Sequence, residues 1–469
     1  MSAANTTGQT AQEMGIYLGL GSAGWAFSGR ERSTLVLGPS RSGKTSSIII
    51  PNVIAASGAV VSTSTKPDVL AATAAARTDA GWTFLYDPSG TVAPPPGVQR
   101  VGWSPVLASR DWDGALSVGA AMVRSTRRAG RGSWAPLTDD HWSERAASLL
   151  SPLLYAAALT DEPLRRVLSW IDRHDGSSAL RILAERVGEQ VPATDVLAGL
   201  LATDEREQSG IWSTASGVLS AYRSESALAS TEPPFLDPAA FCAGAHTLYV
   251  CSAGQQQQLL APLVVGVLGD VRDAAYRRAS ENTAGPPVLL ALDEAANIAP
   301  LPDLPSIVSE GAGQGLLALV SLQDLSQARS RWGAEAEGFL SLFGTTMVLG
   351  GIADIQTLES LSSLAGDVEL PTRTVSSTRG VGRGRQTSLS TSSVFRRRLP
   401  VDVIARGQPG AALALDARNR LGWVGLTPAH ATWPWRDLLG SGRALPGRAA
   451  ELRPPALPPG GRASPELER

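Results

Sequence analysis

The chain of 469 residues has two cysteines, Cys242 and Cys251, which excludes a disulfide framework and an all-cysteine metal site and fits a reduced, cytoplasmic protein. It has no excess of charge. Lys+Arg 41 against Asp+Glu 43 leaves a formal net charge of −2, so no global basic field points to nucleic acid and any such surface has to be local. No apolar run is long enough to cross a bilayer: the stretches Ile48–Val61 and Leu259–Leu268 are interrupted by Pro51, Asn52, Ser57, Pro262 and Gly266. The polar start, Met1–Met14, lacks a basic region ahead of an apolar one, so no secretory leader is expected. Lysine is as scarce as cysteine: only Lys44 and Lys66 occur, and the other 39 basic residues are arginine. A compact ammonium and a planar guanidinium are not interchangeable, so the two lysines are examined first for chemistry. What the chain does hold is apolar material, 43% of its residues, enough for a large core and against wholesale disorder.

Seven short β-branched or leucine-rich runs bounded by turn residues predict buried parallel strands: Thr34–Leu37, Ala59–Ser62, Trp82–Tyr86, Thr247–Cys251, Val288–Leu292, Leu316–Leu322 and Thr346–Leu349. Helix-like stretches separate most of them, which predicts an α/β fold. Between the third and fourth runs the sequence shows no strand. From Glu144 to about Tyr222 apolar residues recur at helical spacing, as in Leu164, Val167, Leu168, Ile171 and in Ile211, Ala215, Val218, Leu219, Tyr222.

The segment from Gly38 through Pro39, Ser40, Arg41, Ser42 and Gly43 to Lys44 and Thr45 fits G-x-x-x-x-G-K-[ST], and Ser46 opens an apolar helix behind it. A strand precedes it. Glycines there let backbone N–H groups turn inward around phosphates, and the helix N-terminus adds its positive dipole end. Lys44 is suited to the β- and γ-phosphates and the Thr45 hydroxyl to Mg²⁺, so ATP and Mg²⁺ are the expected cofactors. The run Val288–Leu292 ends in Asp293 and Glu294, a Mg²⁺-holding carboxylate and a general base for an attacking water. Gln323 ends the strand Leu316–Leu322; it is either a γ-phosphate sensor or an ordinary capping glutamine. Some 250 residues and a helical interval between the two nucleotide motifs point to a RecA-like motor core.

These motifs, with Ser64-Thr-Lys66-Pro-Asp68, Asp87-Pro-Ser, Asp140-His-Trp142, Ser209-Gly-Ile-Trp-Ser-Thr-Ala215, Leu292-Asp293-Glu294-Ala-Ala-Asn297 and Ser321-Leu-Gln323-Asp-Leu-Ser-Gln327, resemble the TraG/TraD-type coupling ATPases of conjugation and type IV secretion, in particular the actinobacterial branch. The resemblance runs from about residue 30 to 435 with the motifs in order. It implies a RecA-like P-loop NTPase domain with a parallel-core sheet and an inserted all-α domain. It also implies a homo-oligomeric ring, typically a hexamer, that hydrolyses ATP to move DNA or protein substrates into a secretion channel. Its partners would be DNA, a relaxase or other secreted substrate, and membrane-bound conjugation components. By the resemblance Lys44 and Thr45 contact phosphate and Mg²⁺, Asp293 and Glu294 form the second nucleotide motif, and Gln323 senses the γ-phosphate. Lys66 and Asp68 belong to a lysine–acid motif that either supports the nucleotide region or forms a structural ion pair.

On this reading residues 1–30 are an N-terminal segment, partly poorly ordered; 31–143 and 233–438 are the two parts of the nucleotide-binding domain; 144–232 are the all-α insert; and 439–469 are a disordered tail. Within 371–400 lie seven arginines and no acidic residue, read as a flexible Arg/Ser-rich hairpin. Two clusters are candidate DNA contacts: Arg124, Arg127, Arg128 and Arg131 before Trp134, and Arg373, Arg379, Arg383, Arg385, Arg396, Arg397 and Arg398. For both, solvated arginines are the alternative, as core packing is for Trp134 and Trp142. The chain departs from the family pattern in three ways. It shows no transmembrane anchor, so either it is a variant that docks on a partner, peripherally at the inner face of the membrane, or its start has been shortened. It has no basic residue in Gly311–Gly315, where relatives place an arginine, leaving Arg329 and Arg331 as the nearest substitutes. Its helical insert is short. Two rival functions remain at this point, a double-stranded DNA translocase of the FtsK/HerA kind and a nucleotide-dependent adaptor that docks protein substrates without pumping.

Overall fold

The computed structural model describes residues 15–22, 24–126, 138–252, 257–281, 283, 285–378, 386–416 and 421–439. Its strands are β1 (Tyr17–Gly21), β2 (Gly24–Phe27), β3 (Thr34–Leu37), β4 (Val60–Ser64), β5 (Thr83–Tyr86), β6 (Val98–Arg100), β7 (Thr247–Cys251), β8 (Val288–Leu292), β9 (Leu316–Leu322), β10 (Thr345–Leu349), β11 (Asp367–Thr378), β12 (Gln386–Arg397), β13 (Ala411–Asp416) and β14 (Leu421–Gly425). All but β11 and β12 join one sheet in the order β2-β1-β14-β13-β10-β3-β9-β8-β4-β7-β5-β6. From β10 to β6 neighbouring strands run parallel, and β13, β14, β1 and β2 extend the sheet antiparallel.

Each parallel strand alternates between two buried faces, which is why the runs are apolar throughout and not only at every second position. Leu35, Leu37, Leu290, Leu292 and Val320 face one core; Val36, Leu289, Ala291 and Leu319 face the other. The first core continues without a break into the helical unit, whose Leu149, Leu153, Val167, Trp170, Ile211 and Trp212 belong to the same cluster. That unit is built around helices Thr138–Leu159, Leu164–Arg173, Gly176–Arg186, Pro192–Leu201 and Glu205–Val218. Helix Trp112–Thr126, ahead of it, packs against both Thr138–Leu159 and the long helix Gln257–Ser280 of the sheet layer. Trp142, weighed as a base-stacking residue, lies against Gly210 of Glu205–Val218, where an added Cβ would come within 2.4 Å of the indole. It is a packing residue.

The sheet is wider than the sequence runs predict. The strand β6 falls in the interval read as strand-free and pairs parallel to β5. Within the segment read as partly disordered, β1 and β2 are tied in by Asn52, whose side-chain oxygen accepts from Tyr17 N at 2.8 Å and whose amide donates to Tyr17 O at 2.9 Å. Trp435 from the C-terminal end closes on the same corner, with ring centroids 5.4 Å from Tyr17 and 5.9 Å from Trp25. The arginine-rich hairpin is a regular antiparallel ribbon, β11 on β12, paired from Asp367↔Arg397 to Thr378↔Gln386. Arg373, Arg396, Arg397 and Arg398 are exposed on it, whereas Arg379, Arg383 and Arg385 lie outside the described residues, as do Arg127, Arg128, Arg131, Trp134 and the segments 1–14 and 440–469.

Two buried polar devices hold layers together. Arg77, on helix Asp68–Ala80, is 2% exposed and its guanidinium faces no carboxylate; Nε donates to Thr247 Oγ1 at 2.7 Å, Nη1 to Ala56 O at 2.6 Å, and Nη2 to Gly58 O at 3.0 Å and Ala245 O at 3.1 Å. Burial pulls its pKa down to about 10, still charged at neutral pH. In the other device Trp103 lies over Gly266, where a Cβ would meet the ring at 2.1 Å, and donates its indole N–H to Asp270 Oδ2 at 2.7 Å. Burial pushes the Asp270 carboxyl up to about 6, with Trp103, Arg277 and Arg272 opposing and Asp273 adding to the rise.

Replacing Arg77 by Met strands three carbonyls and is expected to cost about 3 kcal/mol or more, read as a fall in Tm with Arg77→Lys only partly restoring it. Asp270 binds its proton more tightly in the folded than in the unfolded chain. Its stabilising contribution is therefore complete below about pH 4 and is lost as pH rises through about 6. Asp270→Asn should stabilise the fold at pH 8 by about 1–3 kcal/mol, read as a higher Tm, with the gap to the parent closing toward pH 4.

Candidate functional site

The loop that follows β3 lies at the carboxyl edge of the sheet, where open α/β sheets bind ligands. Its backbone takes the left-handed region at Arg41 (φ 65°) and Gly43 (φ 95°), and Gly38 is pressed so close that a Cβ there would come within 2.9 Å of Leu349 Cβ. Behind it the chain winds from Thr45–Ile49 into helix Ile50–Ala55, with Pro51 in the first turn. Lys44 is buried, and its ammonium folds over the loop to donate to Gly38 O at 2.5 Å and Pro39 O at 2.9 Å. Burial lowers its pKa, and the carboxylates of Asp293 and Glu294 pull it back up. The Ser42 hydroxyl is buried in the loop without a hydrogen-bond partner among the described residues. An orphaned hydroxyl inside a ring of turned backbone, next to a lysine, is a donor set that fits a phosphate group.

The strand order brings the second motif to this loop. The strand β9 lies between β3 and β8, so residues at its carboxyl end touch both neighbours. On one side Gln323 donates its amide to Ser40 Oγ at 3.4 Å, and Leu322 O accepts from Gly38 N at 3.1 Å. On the other, Ser321 Oγ donates to Asp293 Oδ1 at 2.6 Å and accepts from Glu294 N at 3.1 Å. Across the gap Thr45 Oγ1 donates to Asp293 Oδ2 at 2.6 Å. Asp293 is itself buried, and its backbone N–H reaches Thr63 O of β4 at 3.3 Å. Lys44, Thr45, Asp293, Glu294 and Gln323 therefore meet in one place. A hydroxyl and a carboxylate at 2.6 Å, backed by a lysine, form the oxygen set that a hydrated Mg²⁺ takes.

Glu294 has φ 51° and ψ 47°, left-handed for a residue with a Cβ, a conformation that costs on the order of 1–3 kcal/mol unless its surroundings hold it. Asn297 contributes by donating to Glu294 Oε2 at 3.4 Å. Gln327 Oε1 accepts from Gln323 N at 2.9 Å, and Asp324 caps helix Leu325–Trp332 through Ser326 N at 2.9 Å, which turns the chain immediately after Gln323. Asn297 and Gln327 also line a cleft of about 870 Å³ between the sheet layer and the helical unit, together with Ser125, Ser220, Pro262 and Arg331. Ser321 and Gln327 lie in a motif that carries the resemblance, but the sequence gives them no role there, and Thr63 none at all, because a lone serine or threonine in an apolar strand reads as tolerated polarity.

Other predicted residues stand apart. Lys66 is exposed on the loop after β4 and Asp68 is exposed at the start of helix Asp68–Ala80, with no ion pair between them among the described residues. Asp87 is a loop organiser: its buried carboxylate accepts from Ser89 N at 3.0 Å, Gly90 N at 3.1 Å and Val92 N at 2.7 Å. Arg124 is exposed near the end of helix Trp112–Thr126. Arg331 donates to Ser125 O at 3.1 Å. Arg329 donates to Asp354 Oδ2 at 2.7 Å. Burial raises the Asp354 pKa, but hydrogen bonds from Thr357 and Arg329 outweigh it and leave the group lowered. Arg329→Ala is expected to destabilise by about 1–2 kcal/mol at pH 7. That difference should disappear as pH falls through the depressed pKa of Asp354, in thermal melts of both proteins across acid pH.

Residues 287–407 match the family model described as the TraM recognition site of TraD and TraG, a span that holds β8, Asp293, Glu294, β9, Gln323 and the ribbon. Among solved structures, the bacterial conjugative coupling protein TrwBdeltaN70 in an unbound form matches over 90% of each chain, with a TM-score of 0.65 and 18% identity. TrwB in complex with the non-hydrolysable ATP analogue ADPNP matches over 85% of this chain and 86% of that one, with a TM-score of 0.62 and 18% identity. TrwB in complex with ADP and Mg²⁺ matches over 85% of each chain, with the same TM-score and identity. At this identity the likeness establishes the fold. No curated protein sequence matches the chain. Over residues 287–407 the chain is similar to the TraD and TraG family, and its fold is that of a conjugative coupling protein.

Proposed function

We propose that the chain is an ATP-hydrolysing coupling protein that recruits DNA, single-stranded and linked to a relaxase, and drives it toward a conjugation or type IV secretion channel. The observation that carries this reading is the 2.6 Å contact of Thr45 with Asp293, which unites the phosphate loop with the acidic strand. Lys44, Ser42 and the loop backbone would hold the β- and γ-phosphates, and Thr45 and Asp293, through its hydration shell, would hold Mg²⁺. Bound there, the ion supplies charge neutralisation and polarises the phosphate oxygens. Glu294 accepts the proton of the attacking water as its oxygen bonds to the γ-phosphorus. The bond from that phosphorus to the bridging oxygen breaks, releasing ADP and inorganic phosphate. Gln323 is placed to contact the γ-phosphate. TrwB, of like fold, has been solved with ADPNP and with ADP and Mg²⁺.

The working form is a homo-oligomeric ring, a hexamer by the family resemblance, acting with a relaxase or other secreted substrate and with membrane-bound components. No helix among the described residues is long and apolar enough to cross a membrane, so a peripheral seat on such components at the inner face is proposed. Exposed Arg124 and the ribbon arginines Arg373, Arg396 and Arg398 are the described cations available to a DNA backbone. A second reading, a nucleotide-dependent adaptor that does not pump, draws on one observation. Gly311–Gly315 carries no basic residue, and Arg329 is already bonded to Asp354.

Steady-state ATP hydrolysis titrated with single-stranded DNA separates the two. For a motor the rate should rise about tenfold or more with DNA, with steep salt dependence, and fall to blank in Lys44→Ala. Glu294→Gln should still bind ATP while losing about 10²–10⁴ in turnover. A parent rate no faster than Glu294→Gln, with and without DNA, would favour the adaptor.

A further inference from the structure

The most constrained hydroxyl in the site belongs to neither nucleotide motif. Ser321 is fully buried on β9, the strand between the phosphate-loop strand and the acidic strand. A serine hydroxyl offers one proton and two lone pairs, and here the proton goes to Asp293 Oδ1 at 2.6 Å while a lone pair accepts the Glu294 N–H at 3.1 Å. A carboxylate cannot donate and an amide N–H cannot accept, so this hydroxyl has one orientation and one function on each side.

We propose that Ser321 is a positioning residue for ATP hydrolysis, locking the plane of the Asp293 carboxylate and holding the Glu294 backbone in the conformation that aims its side chain. The proposal rests on the hydrolytic reading above. With Ser321 on Oδ1 and Thr45 on Oδ2, both Asp293 oxygens have a donor, and rotation about the carboxylate bond would break one contact or the other. Glu294 is left-handed at φ 51°, and its N–H is fixed by Ser321 while, among the described residues, the one hydrogen bond to its side chain is the 3.4 Å contact of Asn297. Without the Ser321 acceptor the backbone can relax toward ordinary helical angles, carrying the general base off its line. Ser321 and Gln323 are also two residues apart on one strand edge, so a displacement of Gln323 against Ser40 is passed to the acid pair through a short stretch of backbone.

The discriminating readout is the split between binding and turnover in Ser321→Ala, measured on the full chain. Turnover is expected to fall about 10–100-fold while KM for ATP and the affinity for Mg²⁺·ADPNP stay within about twofold and Tm within a few degrees. In a Glu294→Gln background the same substitution should add little further loss, since both act on one group. Ser321→Thr keeps the hydroxyl and should recover at least about a third of parental turnover. Turnover of Ser321→Ala within about threefold of parent overturns the proposal and leaves the ATPase reading standing. A loss matched by equal weakening of ADPNP binding, or a folded Ser321→Thr as slow as Ser321→Ala, overturns it too. A parent rate equal to the Lys44→Ala blank overturns both readings together.

Discussion

A hydrogen bond of 2.6 Å joins Thr45 to Asp293, residues 248 positions apart, and the rest of the molecule is arranged so that it can form. Neither partner lies on a neighbouring strand of the other. The two strand ends meet because β9 separates β3 from β8 by a single strand width and presents polar atoms to both. Strand spacing of about 4.8 Å puts the two outer ends within reach of side chains, and no closer. Parallel pairing requires long crossovers, which is why so much chain, including the whole helical unit, can lie between Thr45 and Asp293 without disturbing the register.

The helical unit is not a detached module. Its apolar residues and those of one sheet face form one buried cluster, so its attachment is a packed interior and not a hinge. The cleft of about 870 Å³ between them is where that continuity opens. Its walls include Asn297, which touches Glu294, and Gln327, which touches Gln323. Whatever enters or tightens the cleft acts on the two side chains that steady the base and the strand end. Communication between the helical unit and the site therefore needs only these short contacts and no long pathway.

Much of this was legible in the sequence, for reasons that are themselves physical. The phosphate loop, β8 and β9 have strong signals, because strands buried on both faces must be apolar throughout and glycine-lysine loops have little freedom. The strands β1, β2 and β14 were missed because they carry glycines, as in Gly19, Gly21, Gly24, Gly422 and Gly425, and gain their stability from neighbours rather than propensity. Arg77 gave no signal, since an arginine in an alanine-rich helix reads as a solvated face until tertiary structure surrounds it with carbonyls. The ribbon was read as a flexible hairpin from its composition, although Ser and Thr pair well across strands. Arg329 was read as available, and only the fold brings Asp354 to it.

That last point bears on how fast one chain can work. The chain itself brings together Lys44, Thr45, Asp293, Glu294 and Gln323 at one edge of the sheet. An arginine on the γ-phosphate is worth about 10³–10⁵ in rate where it acts in nucleotide hydrolysis. Here the segment Gly311–Gly315 sits at the opposite end of β9 from Gln323, and it is a glycine-rich turn with Gly315 at φ 73°. Its shape serves to start β9 in register, with Val288 N bonded to Gly315 O at 2.8 Å, and that register fixes where Ser321 and Gln323 fall. Gly315 itself, left-handed where the strand begins, is poorly suited to carry a long cation. On the proposed function, positive charge beyond Lys44 has to come from outside Gly311–Gly315, so the proposed turnover depends on what the chain assembles with as much as on its own site.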